Sequence, residues 1–285
     1  MYVLSLDLGS TNSKAILLEI NKSNVDENIK LVGKVREKVT DFALFVLSIF
    51  ERYHVSKEDV EAIIVTGTGS SFLDDKYEGI DIIKVDEFNA IAYGGVILSK
   101  LDEAVIVSIG TGTTIVYSNL DEVVRLGGTG LGGGTFVGLS NAILQNKLAD
   151  NNIKTIYELI NMARNGKRQN VDLTIGDISK SDIGDMSLDI TAANFAGTNK
   201  TFNENDLVAG VANMIIENIL LLLRSLNKKY VSVFIGTLVT DEYIKNRIKE
   251  VADYTGNEVR FVENADFAIA IGAWEYYLLK ERKNV

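Results

Sequence analysis

Hydrophobic and polar positions form the same pattern in two parts of this chain. Residues 2–7 alternate in polarity and reach a turn of small residues, and residues 14–20 follow as an apolar, β-branched segment. Residues 104–109 and 113–118 repeat that order around another small-residue turn. Two strand-like segments on either side of a short turn are typical of a β-hairpin. We therefore predict two related α/β domains, residues 1–101 and 102–285, with the last helix able to pack back on the first domain.

Other segments have the periodicity of helices or of short buried strands. Asp41 to Arg52 is a predicted helix with Asp41 or Thr40 as its N-cap. Residues 206–226 are apolar nearly all round, so that helix is expected in a core centre or a subunit interface. Further helices are predicted at residues 88–101, 136–147, 153–164, 241–254 and 266–280. Further strands are predicted at residues 31–37, 62–66, 80–85, 123–126, 231–235 and 258–262.

Composition excludes several kinds of function. The net charge of −10 argues against a nucleic-acid or anionic-membrane partner. The chain has no cysteine, which excludes disulfides, thiolate metal sites and cysteine nucleophiles. Its one histidine, His54, excludes histidine triads and multi-histidine zinc sites, and its polar neighbours predict a surface position. The first residues enter a strand without a basic leader, and the longest apolar run, residues 215–223, is too short to span a bilayer. We expect a cytoplasmic protein.

The densest candidate for binding chemistry is a glycine-rich segment ahead of a predicted helix. Its sequence is Arg125-Leu126-Gly127-Gly128-Thr129-Gly130-Leu131-Gly132-Gly133-Gly134-Thr135. Glycines in such number suit a backbone that approaches a ligand closely. A helix that starts behind exposed amides offers N–H groups and a partial positive charge to an anion. The segment is therefore predicted to bind a phosphate chain, in place of the alternative of an unstructured surface loop.

Three further turns carry small residues. In the first, Asp7-Leu8-Gly9-Ser10-Thr11-Asn12-Ser13-Lys14, the carboxylate suits Mg²⁺ and the turn amides suit a γ-phosphate, although an Asx-turn closing a hairpin explains it as well. The second is Ser108-Ile109-Gly110-Thr111-Gly112-Thr113-Thr114. The third, Gly236-Thr237-Leu238-Val239, lines a nucleoside or merely connects a strand to a helix, and the sequence favours neither. Together these turns predict a nucleotide cleft between the two domains.

The chain resembles the type II pantothenate kinases of the actin, sugar-kinase and heat-shock-protein superfamily. The resemblance runs nearly the full length, and the arginine followed by the glycine segment is its most specific part. The motifs that carry it are Asp86-Glu87-Phe88-Asn89-Ala90, Ile109-Gly110-Thr111-Gly112, the segment from Arg125 to Thr135, Asp189-Ile190-Thr191-Ala192-Ala193-Asn194-Phe195, and Glu263-Asn264-Ala265-Asp266-Phe267-Ala268-Ile269-Ala270-Ile271-Gly272-Ala273. It implies two ribonuclease-H-like (actin-like) domains and ATP-dependent phosphorylation of pantothenate to 4′-phosphopantothenate, the first step toward coenzyme A, by a homodimer.

The resemblance also implies roles for individual residues. Glu87 would be the general base, although a first-turn glutamate often only complements the helix dipole. Arg125 would act in catalysis and contact pantothenate, with Thr111 and Thr113 as further pantothenate contacts. Asp7 would carry Mg²⁺, and Lys14 would lie near the phosphates of ATP. The remaining predicted ATP contacts are Gly9, Ser10, Thr11, Gly127, Gly128, Thr129, Gly130, Gly132, Gly133, Gly134, Thr135 and Gly236.

The chain departs from the family in its first turn. Gly9-Ser10-Thr11-Asn12 replaces the Gly-Gly-Thr-Leu of many type II enzymes and is closer to the activators of 2-hydroxyacyl-CoA dehydratases. Those activators need cysteines for an iron–sulfur cluster, which this chain lacks. Two alternatives to a pantothenate kinase stay open. One is a kinase of the same fold for another small hydroxyl compound, such as an amino sugar, and the other is a non-catalytic nucleotide-binding regulator.

Overall fold

The structure, a computed structural model, describes residues 1–9, 12–22, 27–39, 41–145, 153–179, 181, 188–197, 199–227 and 229–281. The predicted ATP contacts Ser10 and Thr11, the alternative N-cap Thr40 and the predicted helix end at residue 147 lie outside these ranges. Within them the chain forms two main sheets and eight α-helices.

The first sheet has six strands, ordered β3-β2-β1-β4-β6-β5. Strands β1 and β2 form the predicted hairpin, with Asp7 opposite Lys14, and β4 runs parallel to β1. The two-residue strand β5 was not predicted from the sequence. The strands are β1 Tyr2–Leu8, β2 Ser13–Lys22, β3 Glu27–Glu37, β4 Val60–Thr66, β5 Lys76–Tyr77 and β6 Ile80–Lys84.

The second sheet has five strands, ordered β13-β12-β7-β8-β9, and repeats the topology of the first. In each sheet an antiparallel three-stranded meander is followed by two parallel strands, which confirms the predicted duplication. The strands are β7 Ala104–Ile109, β8 Thr113–Ser118, β9 Val123–Thr129, β12 Ser232–Ile235 and β13 Val259–Phe261. A separate hairpin, not predicted, pairs β10 (Leu173–Thr174) with β11 (Thr191–Ala193).

Helices lie at nearly the predicted positions, except for the four-residue α5, which was not predicted. They are α1 Phe42–Tyr53, α2 Glu87–Ser99, α3 Gly133–Gln145, α4 Ile156–Asn165, α5 Ile175–Ile178, α6 Glu204–Leu226, α7 Glu242–Thr255 and α8 Ala268–Tyr276. Asp41 caps α1 by accepting a hydrogen bond from the Leu44 amide, as predicted, and His54 is exposed after its last turn.

Helices α2 and α8 join the two halves by packing on opposite sheets. Residues of α8, including Ala270 and Trp274, share a core with β1 and β4 of the first sheet. Residues of α2, including Ile91 and Val96, share a core with β7 and β12 of the second. The two helices touch through backbone, because a Cβ on Gly272 would lie 1.9 Å from the carbonyl oxygen of Ala90. The predicted domain boundaries stay a prediction.

Helix α6 is the centre of the second core. Val208, Val211, Ile215 and Ile219 pack there with residues of α3, α4 and α7, which confirms the predicted central burial. Among the described residues, α6 is the one helix that is long and apolar enough to cross a membrane, but 78% of its most apolar window is buried inside the protein. Core helices of globular proteins have the same property.

Candidate active site

The first turn places a buried carboxylate at the end of β1. Asp7 is only 4% exposed, and its Oδ2 lies 3.4 Å from Nζ of Lys14, which faces it across the hairpin. Burial raises the pKa of Asp7, and the charge and hydrogen bond of Lys14 partly oppose that rise. Lys14 is itself largely buried, so it is not the solvated lysine that an exposed hairpin usually carries. The hairpin thus holds a charge pair at its turn.

Glu87 lies in the first turn of α2, near Asp7. Asp86 caps the helix by accepting hydrogen bonds from the amides of Phe88 (2.9 Å) and Asn89 (3.1 Å), which fixes where the helix starts. Glu87 is half-buried. Its pKa is raised first by burial and then by the negative charges of Asp7 and Asp86. A carboxylate with a raised pKa in a cleft is suited to accept a proton.

Arg125 on β9 reaches the same region from the second sheet. Its guanidinium lies 5.7 Å from the centre of the Phe88 ring, beside Glu87. It also lies along Gly128, where a Cβ would come within 3.5 Å of Nη2. Among the described residues, no carboxylate forms an ion pair with Arg125, which is exposed. In a chain of net charge −10, such an arginine is free to bind an anion.

The glycine-rich segment is part of regular structure, and strand β9 runs into it beyond the predicted end at residue 126. Gly127, Gly128 and Thr129 continue strand β9, paired with β8, and Gly133 and Gly134 begin α3. The strand extends this far because its backbone pairs with β8 whatever the side chains are. The Gly133 and Gly134 amides donate to the carbonyls of Gly110 (2.8 Å) and Thr111 (2.9 Å). These two amides are therefore already bonded within the chain.

Most of these glycines let the β7–β8 turn pack closely against the glycine-rich segment. We call these two segments together the double turn. A Cβ on Gly132 would lie 2.6 Å from the carbonyl oxygen of Gly112, and one on Gly128 would lie 2.6 Å from that of Thr113. Gly130 is different, because it is exposed and a Cβ on it would meet nothing within 4 Å. No contact among the described residues therefore requires glycine at 130.

The hydroxyl residues of this double turn have separate roles. Thr113 is 4% exposed and its hydroxyl donates to the carbonyl of Leu131 (2.7 Å), and the Thr135 hydroxyl donates to that of Gly130 (2.7 Å). Both side chains hold the double turn together. Thr129 Oγ1 accepts from the Leu131 amide at 3.3 Å. Thr111 is exposed at the tip of the β7–β8 turn, where a substrate can reach it.

Gly9 and Gly236 both lie at strand ends next to backbone. A Cβ on Gly9 would come within 2.9 Å of the Asn12 carbonyl oxygen, so glycine closes the first turn. Gly236 follows β12 with φ of +115° and is buried, and a Cβ there would lie 2.2 Å from the carbonyl oxygen of Ile109. Gly236 thus has a packing role, and the partly exposed Thr237 beside it is better placed to meet a ligand.

The motif at residues 189–195 belongs to a buried polar network behind the second sheet. Thr191 donates to Glu217 on α6 (2.7 Å), and the Phe195 amide donates to Asp172 (2.9 Å). Arg247 on α7 also bonds Glu217, at 3.2 Å. These contacts anchor the β10–β11 hairpin to α6 and α7. The motif therefore has a structural role, and the segments of that hairpin show no alternation of apolar and polar residues.

Sequence reasoning missed three residues at this site. Phe88 supports Arg125, and Asp86 caps the helix that carries Glu87. The third is Thr66, at the end of β4, whose hydroxyl is fully buried. The short polar segment before a predicted helix, Asp86-Glu87, was the available signal for the cap. No local pattern indicates Phe88 or Thr66, because both matter through neighbours that are distant in the sequence.

A model of one protein family, described as Fumble, matches residues 103–274 of this chain. The chain belongs to the Fumble family. The matched region contains the double turn, the polar network and most of α8, so the family pattern covers the half of the site that carries Arg125.

Curated relatives of this chain carry the name type II pantothenate kinase. The protein of Bacillus cereus (strain AH820) is 27% identical over 289 residues, which cover 96% of each chain. That of Bacillus anthracis is 31% identical over 207 residues, which cover 68% of this chain and 72% of the relative. The resemblance stated from the motifs is thereby confirmed.

Solved structures show the same fold at low identity. The activator of the 2-hydroxyisocaproyl-CoA dehydratase from Clostridium difficile, with bound ADPNP, has a TM-score of 0.68 and 17% identity, and the match covers 100% of this chain and 98% of that one. A ROK family glucokinase from Streptomyces griseus, in complex with glucose and AMPPNP, has a TM-score of 0.54 and 15% identity, with 96% and 98% covered. These neighbours confirm the predicted actin-like α/β fold.

Proposed function

We propose that this chain is a pantothenate kinase, which transfers the γ-phosphoryl group of ATP to the terminal hydroxyl of pantothenate. The observation that carries the proposal is that Asp7 acts on the pKa of Glu87, and that Arg125 contacts Phe88, the residue that follows Glu87, although the three elements come from separate parts of the sequence. Full-length relatives named type II pantothenate kinase support the acceptor. Neighbours with bound ATP analogues support the donor.

In the proposed reaction Glu87 accepts the proton of the pantothenate hydroxyl as that oxygen forms a bond to the γ-phosphorus. The bond between the γ-phosphorus and the bridging oxygen of ATP breaks, and ADP leaves. The raised pKa of Glu87 makes its carboxylate a better base than an ordinary exposed glutamate. The negative charge of Asp7 favours the same proton transfer.

Arg125 would bind negative charge on the acceptor side. Its guanidinium can pair with the pantothenate carboxylate or with the phosphoryl group in transit. The Phe88 ring and the bare backbone of Gly128 flank the guanidinium, and Phe88 directly follows Glu87 in the chain. Thr111, exposed on the neighbouring turn, is the further proposed contact with pantothenate. Gly130 is the proposed point of closest approach to ATP phosphates.

Mg²⁺ fits the first turn. The Asp7 carboxylate is the hard oxygen ligand that Mg²⁺ prefers, and Gly67 borders it, since a Cβ at position 67 would lie 3.0 Å from Oδ1 of Asp7. Among the described residues no group of three or more acidic, histidine or cysteine side chains could hold a metal, so phosphate oxygens and water would complete the coordination. Bound Mg²⁺ would neutralise charge on the β- and γ-phosphates.

The homodimer is a further part of the proposal. The outer face of α6 leaves Leu221 53% exposed, beside the partly exposed Leu222. A subunit contact at this face would bury both leucines. Light scattering coupled to size exclusion tests it, and a monomer at micromolar concentration would contradict it. The cytoplasmic location and the absence of a nucleic-acid or membrane partner stay predictions.

The experiment that tests the function measures ADP release with a panel of acceptors. Pantothenate, N-acetylmannosamine, glucose and a no-acceptor control are compared at equal concentration. Pantothenate should give the highest kcat/KM. Preferential turnover of an amino sugar would replace the proposal by a sugar kinase of the same fold. ATP binding without turnover of any acceptor would indicate a nucleotide-binding regulator.

A further inference from the structure

Thr66 has a buried hydroxyl without a hydrogen-bond partner at the edge of the candidate active site. The residue is 0% exposed, and its Oγ1 is one of two buried side-chain oxygen or nitrogen atoms that lack a partner among the described residues. Leaving a buried hydroxyl unpaired is costly, and threonine could be replaced by valine at almost no change in shape. A hydroxyl at this position therefore calls for a functional reason.

The strand register places Thr66 next to Asp7. Strands β1 and β4 are parallel neighbours, and Asp7 pairs with Thr66. Side chains alternate between faces along a strand. Val3 and Ile64 pack with α8. Asp7 lies four residues after Val3, and Thr66 lies two residues after Ile64. Both side chains therefore lie on the face of the sheet that α8 covers. The Ser5 hydroxyl, between Val3 and Asp7, confirms the face by donating to the Ala270 carbonyl on α8.

The neighbouring strand brings Glu87 to the other side of Thr66. The amide of Val85, two residues before Glu87, donates to the Val65 carbonyl (2.8 Å). Strand β4 is thus central, with β1 and Asp7 on one side and the chain that enters α2 on the other. The Thr66 hydroxyl lies between the two acidic residues of the site.

Asp7 has hydrogen-bonding capacity to spare. Among the described residues its carboxylate is bonded by Lys14 alone, at 3.4 Å, which is long for a charged pair. A carboxylate that must hold one orientation against phosphates and a metal ion needs a second donor. Thr66 is the residue that pairs with Asp7 across β1 and β4, and it carries a hydroxyl on the same face of the sheet.

We propose that Thr66 is a positioning residue, whose hydroxyl donates to the Asp7 carboxylate and orients it when nucleotide is bound. The inference rests on the proposed function for the role of Asp7, but not on the identity of the acceptor. Thr66 itself touches neither substrate. It acts through Asp7, so its removal should weaken magnesium–nucleotide binding and turnover together while leaving the fold intact.

The test uses Thr66→Val, which removes the hydroxyl, and Thr66→Ser, which keeps it. Ser140→Ala is the matched control, because Ser140 Oγ is the other buried oxygen without a partner and lies two turns into α3. The readouts are the Kd of Mg-AMPPNP by calorimetry, the kcat and KM for ATP, and the Tm. Nucleotide binding is measured without acceptor, so it stays informative even if pantothenate is not the substrate.

We expect Thr66→Val to keep or raise the Tm, to weaken Mg-AMPPNP about tenfold and to lower kcat about tenfold. Thr66→Ser should restore both, and Ser140→Ala should leave both at the wild-type value. Wild-type binding and turnover in Thr66→Val would overturn the proposal. An equal loss in the serine and valine variants, with a lowered Tm, would also overturn it by showing a packing role.

Discussion

The guanidinium of Arg125 lies over the ring of Phe88, 5.7 Å from its centre, and Phe88 directly follows Glu87 in the chain. This contact joins the edge strand of the second sheet to the first turn of α2. Among the described residues Arg125 has no carboxylate partner, and its ring contact places it against the residue that follows Glu87, whose pKa is raised. A base and an anion-binding group suit transfer of a phosphoryl group to a hydroxyl.

Glu87→Gln should lower kcat by about 10²-fold or more and leave ATP affinity largely unchanged, since the amide cannot accept the proton. Steady-state kinetics with a Kd for AMPPNP measure the two effects separately. Glu51→Gln, an exposed glutamate on α1, is the control and should behave as wild type. Turnover by Glu87→Gln close to that of the wild type would assign the glutamate to the helix dipole instead.

The loss of activity at acid pH should follow the protonation of the Glu87 carboxylate. The base must be ionised to accept a proton, and burial together with Asp7 and Asp86 raises its pKa above the ordinary 4.5. Activity is therefore expected to fall as the pH drops through a value above 4.5. The measurement is kcat/KM against pH, with circular dichroism at each pH to show that the protein stays folded. A limb at or below 4.5 would contradict the assignment.

Arg125→Gln should raise the KM for pantothenate by about 10- to 100-fold, because a hydrogen bond to a charged group contributes roughly 1.5–3 kcal/mol. The KM for ATP should change less. Arg52→Gln is the control, since Arg52 pairs with Glu37 on the surface at 2.9 Å. An equal rise in both KM values for Arg125→Gln would place the arginine with the nucleotide rather than with the acceptor.

Alanine substitutions should separate ligand-facing glycines from packing glycines. Gly132→Ala should lower the Tm, because the new Cβ would meet the Gly112 carbonyl oxygen at 2.6 Å. Gly130→Ala has room and should keep the Tm but weaken ATP binding. Gly138→Ala, on the exposed face of α3, is the control and should be stabilised by about 0.5–1 kcal/mol without loss of binding. Unchanged ATP affinity in Gly130→Ala would remove Gly130 from the phosphate site.

Much of the fold could be predicted from local pattern. Period-two alternation identified both hairpins, and helical periodicity identified α1 and α6. The strand β9 was predicted to end at Leu126, because glycine is uncommon in strands, yet its backbone pairs with β8 as far as Thr129. The β10–β11 hairpin was missed because polar contacts hold it, and its segments show no apolar alternation.

The candidate site was less predictable than the fold. The resemblance to a family supplied Glu87 and Arg125 as a pair, but their proximity depends on strand order and on α2 packing across to the second sheet. Local pattern does not encode either. For the same reason Thr66 could not be identified, because its importance depends on the register of β4 with β1.

The most direct test of the central claim is to identify the product by ³¹P NMR. Purified protein is incubated with ATP, Mg²⁺ and pantothenate, and the phosphorus resonances are followed over time. The proposed function predicts that a phosphomonoester, 4′-phosphopantothenate, appears in equal amount with ADP, and that Glu87→Gln slows both. ADP with inorganic phosphate and no phosphomonoester, or no consumption of ATP, would contradict it.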